Sequence, residues 1–223
     1  MTKVNFKFDK EKDLYNIWET CNSKSNWYNF KQNVTSNVLK ICGGKEFEDC
    51  KNELENIAEK IYKSSLINIF VESVNKSWEG INNEYFNRLE KIMKKPICSK
   101  DFTAYLTTAG RCPYDPEEKT FFFSFFNSLP NAMNTTGHEI MHLQFHEYYW
   151  QDTEKQLGKE KTADLKEALT VLLNLEFNDL WFAKDIGYEP HKELRKFIAN
   201  EWKKEKDFDV LIEKCVDYLK EKH

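Results

Sequence analysis

The sequence is poor in turn-forming residues and has no long apolar run. Seven Gly and five Pro among 223 residues favour long helices over a multi-stranded all-β fold, which needs many tight turns. No segment approaches the roughly 18 consecutive apolar residues of a membrane-spanning helix. The first ten residues alternate Lys, Asp and Phe and lack the apolar stretch of a signal peptide. The chain is therefore expected to be helical, without a membrane span or an export signal.

A basic stripe and a CxxC pair are also missing. Acidic and basic residues are interleaved, with a formal net charge of −4, so nucleic-acid binding is not expected. The six cysteines are scattered, which in a chain without an export signal is typical of free thiols in a reducing compartment. These features predict a cytoplasmic protein that binds neither nucleic acid nor membranes. They do not indicate an oligomeric state.

Apolar spacing divides the chain into a helical N-terminal region, residues 1–95, and a mixed region, residues 96–223. In the first region apolar residues recur every three or four positions, which predicts helices. The predicted helices are 14–18, 27–41, Phe47–Tyr62 and Ser65–Met93. We expect the N-terminal region to pack on the second region as one compact unit.

The second region is predicted to begin with a small sheet. Residues 102–108 and 120–126 are rich in β-branched and aromatic residues, and a connection with one Gly and two Pro separates them. This pattern is typical of two antiparallel strands joined by a long loop. Helices are then predicted at about 135–150, 162–183, 190–204 and 208–220. The predicted fold class is α+β and predominantly α-helical.

The most specific pattern is the HExxH motif at residues 138–142. Helix positions i and i+4 lie on one face, so His138 and His142 can bind one metal ion through their imidazole nitrogens. Glu139 then points towards a water in the open coordination position. A capping box of Thr136 and Glu139 would explain the glutamate but not two histidines in register. We therefore predict a zinc site with Glu139 as the catalytic base.

A catalytic zinc site needs a third protein ligand. His146 lies on the same helix, but about 12 Å along the axis from His138, which is too far. Between His142 and Glu167 the chain is long enough to form a turn and a second helix that returns to the motif. Glu167 also borders the apolar stripe of that second helix, which is the position expected of a buried ligand. Glu167 is the predicted third ligand, with Asp164 and Glu176 as alternatives.

The order of strand, HExxH helix and glutamate on a second helix resembles the gluzincin class of zinc metallopeptidases. The resemblance covers roughly residues 103–178. It implies a zincin-like arrangement in which the sheet packs on the active-site helix and a second helix carries the last ligand. It also implies that His138, His142 and Glu167 bind Zn²⁺, that Glu139 is the general base, and that the substrate is a peptide or protein.

In that class, the strand before the active-site helix binds extended substrate by β-augmentation, which points to residues 121–126 or 103–108. Two positions depart from the secreted members. Lys166, not Asn, precedes the predicted ligand, and Val171 stands where an Asp would follow four residues after it. These departures favour a resemblance to small intracellular gluzincins.

The resulting prediction is a zinc-dependent hydrolase that cleaves peptide bonds with a zinc-activated water. The oxyanion needs a further donor, for which Tyr149, Tyr188 and His191 are candidates, none of them assigned. Cys112 could bind zinc, as the cysteine of deformylase-type sites does, but its surroundings do not match that family. Two alternatives stay open: a zinc hydrolase of non-peptide amide or formyl groups, and a catalytically silent binding module with this fold.

Overall fold

A four-stranded mixed sheet and eleven α-helices form the part of the chain that the computed structural model describes, residues 2–24 and 28–221. The strands are β1 (Lys3–Phe8), β2 (Asp101–Thr107), β3 (Tyr114–Asp115) and β4 (Thr120–Ser124). The helices are α1 (Lys10–Asn22), α2 (Ser36–Cys42), α3 (Phe47–Tyr62), α4 (Ser65–Met93), α5 (Leu129–Tyr148), α6 (Trp150–Leu157), α7 (Lys159–Leu169), α8 (Val171–Glu176), α9 (Asn178–Trp181), α10 (Lys192–Lys204) and α11 (Phe208–Glu221). The fold is α+β and predominantly helical, as predicted.

The sheet is not the antiparallel pair that the sequence predicted. Its order is β1-β2-β4-β3, and β2 pairs in parallel with both β1 and β4. After β2 the chain passes to the outer edge of the sheet, where β3 reverses direction and pairs antiparallel with β4. The chain then returns in the direction of β2. Because the reversing strand has only two residues, it leaves no periodic signal in the sequence.

β1 is a strand that the sequence analysis did not predict. Val4 is buried, and the ring of Phe6 lies 6.3 Å from that of Trp78 on α4 and 5.5 Å from that of Phe123 on β4. The apolar side chains of β1 thus lie between the sheet and α4. Polar and charged residues separate them, and six alternating residues are a weak signal beside the helical periodicity that follows.

The helices of the N-terminal region follow the prediction in part. α3 and α4 have the predicted bounds. The predicted helix 27–41 is broken into a 3-10 helix, Phe30–Asn33, and α2; its first residue, Trp27, lies outside the described residues. Thr35 causes the break, because its side chain accepts a hydrogen bond from the Val38 N–H and starts α2 anew.

α5, the helix of the HExxH motif, begins earlier than predicted. Ser128 caps it by accepting from the Asn131 N–H, and Pro130 occupies its first turn. Thr136 therefore lies inside the helix, where its hydroxyl donates to the carbonyl of Ala132. The capping-box interpretation of Glu139 is thereby wrong.

The predicted helix 162–183 is divided into α7, α8 and α9. The first division follows Glu167 by three residues: the Thr170 hydroxyl donates to the Glu167 carbonyl and turns the chain there. α9 ends at Phe182, which has a left-handed conformation with φ of 58°. A continuous helix would have carried residues 171–185 away from Glu167, and the turns return them to it.

One large core contains side chains from both predicted regions. Val4 of β1, Trp78 of α4, Phe102 of β2, Ile140 of α5 and Phe208 of α11 all belong to it. A smaller apolar cluster joins α1, α2 and α3. Within residues 2–24 and 28–221, no helix combines the length and the apolar character needed to cross a membrane.

Candidate metal centre

Three side chains from two helices converge on one point. His138 and His142 lie one turn apart on α5, and Glu167 lies in the last turn of α7. Their ligand atoms are within 4.8 Å of one another. The distance from His138 Nε2 to Glu167 Oε2 is 3.6 Å, and that from His142 Nε2 to Glu167 Oε1 is 3.3 Å. Each side chain can offer one ligand atom to a common ion.

Two of the separations are close to those around a tetrahedral metal ion. Two ligand atoms about 2.0–2.1 Å from zinc are roughly 3.3 Å apart at a tetrahedral angle, and the two nitrogen–oxygen distances, which involve different oxygens of Glu167, are 3.6 and 3.3 Å. His142 is buried, and neither of its ring nitrogens makes a well-formed hydrogen bond with the described residues. Because a buried polar atom without a partner is costly, an ion at this point would stabilise His142.

The local charges favour the metal-binding forms of two ligands. Burial lowers the pKa of His142 to about 3, and the positive charge of Lys166 acts in the same direction. Burial opposes the ionisation of Glu167, but its neighbours, among them the positive charge of Lys166, outweigh burial and hold the pKa of Glu167 well below its usual value. A neutral imidazole and an ionised carboxylate are the forms that bind a metal.

Asp185 contacts the ring of His138. Its Oδ2 lies 2.6 Å from Nδ1 of His138, on the side of the ring away from Nε2. Burial opposes protonation of this ring, yet Asp185 and Glu167 together hold its pKa well above the usual value. Metal-binding histidines usually donate their second ring N–H to such a partner, which fixes the tautomer and the ring orientation. Asp185 is therefore a positioning residue.

Asp185 is itself held by a buried network. Its carboxylate accepts from the Thr170 hydroxyl at 2.9 Å and pairs with Arg195 at 2.8 Å, and the Asn174 side chain bonds to its backbone N–H and C=O. Gly187 leaves room for this arrangement, because an added Cβ would lie 2.7 Å from Nε of Arg195. The charge of Asp185 is thus paired on both sides.

Asp185 is not among the site residues predicted from the sequence. The gluzincin resemblance calls for an acid four residues after Glu167, where Val171 stands. Asp185 follows Glu167 by 18 positions and lies in a loop. The one signal available was an acidic residue two positions before Gly187, in the loop that follows α9.

Lys166 explains how Glu167 remains ionised in a buried position. Its ammonium group is buried, donates to Glu167 Oε1 at 2.7 Å, and lies 4.6 Å from the ring centroid of Tyr114. A buried carboxylate needs such a partner, because transfer of a charge out of water is costly. Lys166, which stands where the secreted gluzincins have Asn, therefore has a defined contact in this fold, the carboxylate of Glu167.

Glu139, the predicted base, directly follows His138 on α5, and its side chain is buried. Burial raises its pKa to about 8, although the positive charge of His138 acts against this shift. A carboxylate whose pKa lies near neutral can both take up and release a proton under ordinary conditions. This property suits Glu139 to general acid–base work.

The alternative ligands are engaged elsewhere. Asp164 bonds to His191 Nε2 at 3.1 Å, and Glu176 accepts from Trp202 Nε1 at 2.8 Å. Neither belongs to the metal-binding group. His146 stacks on the ring of Trp150 at 4.2 Å and is likewise not a member.

Tyr188 is the one of the three candidate oxyanion donors that lines the cleft. Tyr149 donates to the Met93 carbonyl in the core, and His191 bonds to Asp164. Tyr188 lies on the cleft wall, where burial and then the negative charges of Glu167 and Glu139 raise its pKa and keep the hydroxyl protonated.

Cys112 also lines the cleft but does not join the metal-binding group of the described residues. Burial raises the pKa of its thiol, and the negative charge of Glu139 adds to the shift. A thiol must lose its proton to bind zinc. The raised pKa therefore disfavours Cys112 as a ligand.

β3 is the sheet edge beside the metal centre. The Phe122 N–H donates to the Pro113 carbonyl at 2.9 Å, so the antiparallel pattern leaves the N–H and C=O of Tyr114 pointing away from β4. The Tyr114 ring lies 5.4 Å from that of His142. The predicted substrate edge at 103–108 is wrong, because β2 pairs with a strand on each side. The alternative at 121–126 stays a prediction, because β3 pairs only with Thr120 and Phe121 of β4.

The metal centre opens into a cleft of about 1690 Å³. α5 supplies its floor. One wall consists of residues of α1, the 3-10 helix Phe30–Asn33 and the loop between β2 and β3, and the other wall includes the start of α7 and the Asp185 loop. The ring of Tyr188, which lines the cleft, lies 6.2 Å from that of Tyr28.

Comparison with known proteins identifies no relative: no family model, curated protein or solved structure gives a significant match.

Proposed function

We propose that this protein is a zinc-dependent metallopeptidase of the gluzincin type, with a zincin-like arrangement of sheet, active-site helix and ligand helix. The observation that carries the proposal is the convergence of His138, His142 and Glu167 around a point where the buried imidazole of His142 makes no well-formed hydrogen bond with the described residues. The HExxH spacing and this convergence support the same ion and the same ligands.

A zinc ion held by these ligands would polarise a substrate carbonyl and lower the pKa of a bound water towards about 7. Glu139 takes the proton from the attacking water and delivers it to the leaving nitrogen. Tyr188 donates its hydroxyl hydrogen to the oxyanion that forms. Asp185 holds the His138 ring, and Lys166 keeps Glu167 ionised.

The cleft supports a peptide as the substrate. Sites for small molecules usually enclose roughly 300–1,000 Å³, and this cleft is larger, at about 1690 Å³. The outward N–H and C=O of Tyr114 can pair with an extended chain beside the metal centre. These features favour a peptide over a small amide or formyl substrate.

The cytoplasm is the proposed location. All six cysteines are free, and Cys21, Cys42, Cys50 and Cys215 are buried. Free thiols of this number are typical of a reducing compartment.

Metal analysis and mutation test the proposed function. Protein reconstituted with zinc is expected to hold about one ion per chain, and His138→Ala is expected to lose it. Glu139→Gln keeps the shape of the side chain without its basicity, so it should retain zinc and lose about 100- to 10,000-fold in peptide cleavage.

Two results would contradict the proposal. Protein that stays metal-free after reconstitution would favour a catalytically silent binding module. Zinc-loaded protein that cleaves a formylated or other non-peptide amide, but no peptide, would favour the other hydrolase.

A further inference from the structure

The metal centre lies in the middle of the cleft floor. The residues of α5 that line the cleft extend from Asn134 to His146, with His138 and His142 placed symmetrically between them. Twelve residues of helix correspond to about 18 Å, so the floor extends about 9 Å on each side of the centre. A chain bound along this floor passes over the metal-binding residues.

The cleft continues beyond both ends of this floor. Phe126, which precedes α5, lines one end and is 70% exposed. Glu154 and Lys159 line the other end, and Lys159 is exposed at the start of α7. Solvent-exposed residues at both ends indicate an open groove.

The cations near the centre have partners. Lys166 bonds to Glu167, Arg195 pairs with Asp185, and Arg111 pairs with Glu19 at 2.9 Å. An enzyme that removes one residue from a C-terminus needs a cation for the terminal carboxylate, because a buried charge must be paired. None of these three is available for that role.

The edge of β3 favours a single extended chain. Tyr114 offers its backbone N–H and C=O on the free side of this strand, where an extended chain can pair with them. A strand advances about 3.3 Å per residue, so 9 Å accommodates about three residues.

We propose that the protein is an endopeptidase that binds an internal segment of flexible polypeptide, with about three residues on each side of the cleaved bond. This inference rests on the proposed peptidase function. Folded proteins are poor substrates, because the groove binds an extended chain.

Peptides blocked at both ends test the inference. The zinc-loaded full-length protein is given peptides of four, six, eight and ten residues, each with free ends and with an acetylated N-terminus and an amidated C-terminus. Products are identified by mass spectrometry, and Glu139→Gln measures contaminating activity. Blocked octapeptides should be cut internally, and kcat/KM should rise about tenfold or more from four to six residues and level off beyond.

The outcomes separate the two proposals. Cleavage confined to peptides with a free end, one or two residues at a time, would overturn the endopeptidase inference and leave the peptidase function intact. No zinc-dependent cleavage of any peptide would overturn both. A kcat/KM that is independent of peptide length would show that the groove does not bind about three residues on each side of the cleaved bond.

A charge reversal at the end of the groove provides a second measurement. Lys159 lies about 12 Å along α7 from Glu167, within reach of a residue about four positions from the cleaved bond. Lys159→Glu should reverse the preference between blocked octapeptides with Glu or with Lys at both ends, by several-fold in kcat/KM, and leave blocked tetrapeptides unaffected. Lys155→Glu, the same change at an exposed residue outside the cleft, is the control. Equal behaviour of the two variants would show that the substrate does not reach this end.

Discussion

Two aspartate–histidine pairs in this fold have similar contacts but different surroundings. Asp185 lies 2.6 Å from His138 beside Glu167, and Asp164 lies 3.1 Å from His191, outside the metal-binding group. A histidine ring can bind an ion through one nitrogen only while the other is held in the correct tautomer. At the scale of single residues, the neighbours of a side chain decide whether such a pair serves metal binding or packing.

Asp185→Asn is therefore expected to weaken zinc binding by about 10- to 100-fold. The amide has no negative charge and can donate to Nδ1, which favours the tautomer with its proton on Nε2. Competition with a chelator measures the affinity. Asp164→Asn removes the same charge from the other pair and should leave the affinity unchanged; similar losses in the two variants would refute the positioning role.

A second residue-scale prediction concerns Asp13, a buried carboxylate of α1. It accepts hydrogen bonds from the Tyr62 hydroxyl, the Thr107 hydroxyl and both the N–H and the hydroxyl of Thr108. Burial raises its pKa, although the threonines and Tyr62 act against the shift. The folded state therefore holds the Asp13 proton up to a higher pH than the unfolded state does.

From this shift, the contribution of Asp13 to stability should fall as the pH rises above its unfolded pKa. Because asparagine does not titrate, Asp13→Asn should cost more stability near pH 4.5 than near pH 7, as measured by urea unfolding at both values. A larger cost near pH 7 would mean that the four hydrogen bonds lower the pKa of Asp13 by more than burial raises it.

At the scale of secondary-structure elements, α5 is fixed by a close approach at Gly137. An added Cβ there would lie 2.7 Å from Trp181 of α9 and 3.1 Å from Tyr85 of α4. The Tyr85 hydroxyl also donates to the Gly137 carbonyl at 2.6 Å. The residue beside His138 is thus a contact point of three helices, and this contact fixes the distance of His138 and His142 from the core.

Gly137→Ala should destabilise the protein by about 1–3 kcal/mol, because the gain in helix propensity is smaller than the cost of displacing two buried rings. Gly80→Ala is the matched control: Gly80 lies inside α4, and no atom is within 4 Å of its added Cβ. That variant should gain about 0.5–1 kcal/mol. Thermal and urea unfolding of both variants measure the difference; a stabilised Gly137→Ala would contradict the close approach.

At the scale of the whole molecule, one core connects the N-terminal region with the metal centre. β1 pairs with β2 along six residues, and Trp78 and Tyr85 of α4 pack in the same cluster as Ile140 of α5. Residues 96–223 alone would expose the faces that β1 and α4 cover. The metal-binding helices therefore depend on residues that precede them by more than fifty positions.

We expect the full chain to unfold in one cooperative transition, with coincident curves from tryptophan fluorescence and far-ultraviolet circular dichroism. The fragment 96–223 should lack a cooperative transition, since loss of β1 and α4 exposes buried apolar surface. Full-length protein under the same conditions is the control. A cooperative transition of the fragment would mean that this region folds independently.

The sequence alone indicated the features that depend on near neighbours in the chain. The bounds of α3 and α4 follow from apolar spacing, and the shared face of His138 and His142 follows from the helical repeat. Glu167 was selected from several acids by the same kind of argument, and the structure brings it to both histidines. Their roles in metal binding and catalysis stay predictions.

Only the tertiary structure decided the rest. β4 runs parallel to β2 because a two-residue strand reverses the chain, and Asp185 reaches His138 because turns after Glu167 bring the chain back. Helical periodicity encodes contacts over three or four residues. A contact across 47 positions depends instead on how the intervening elements turn and pack, which no local pattern records.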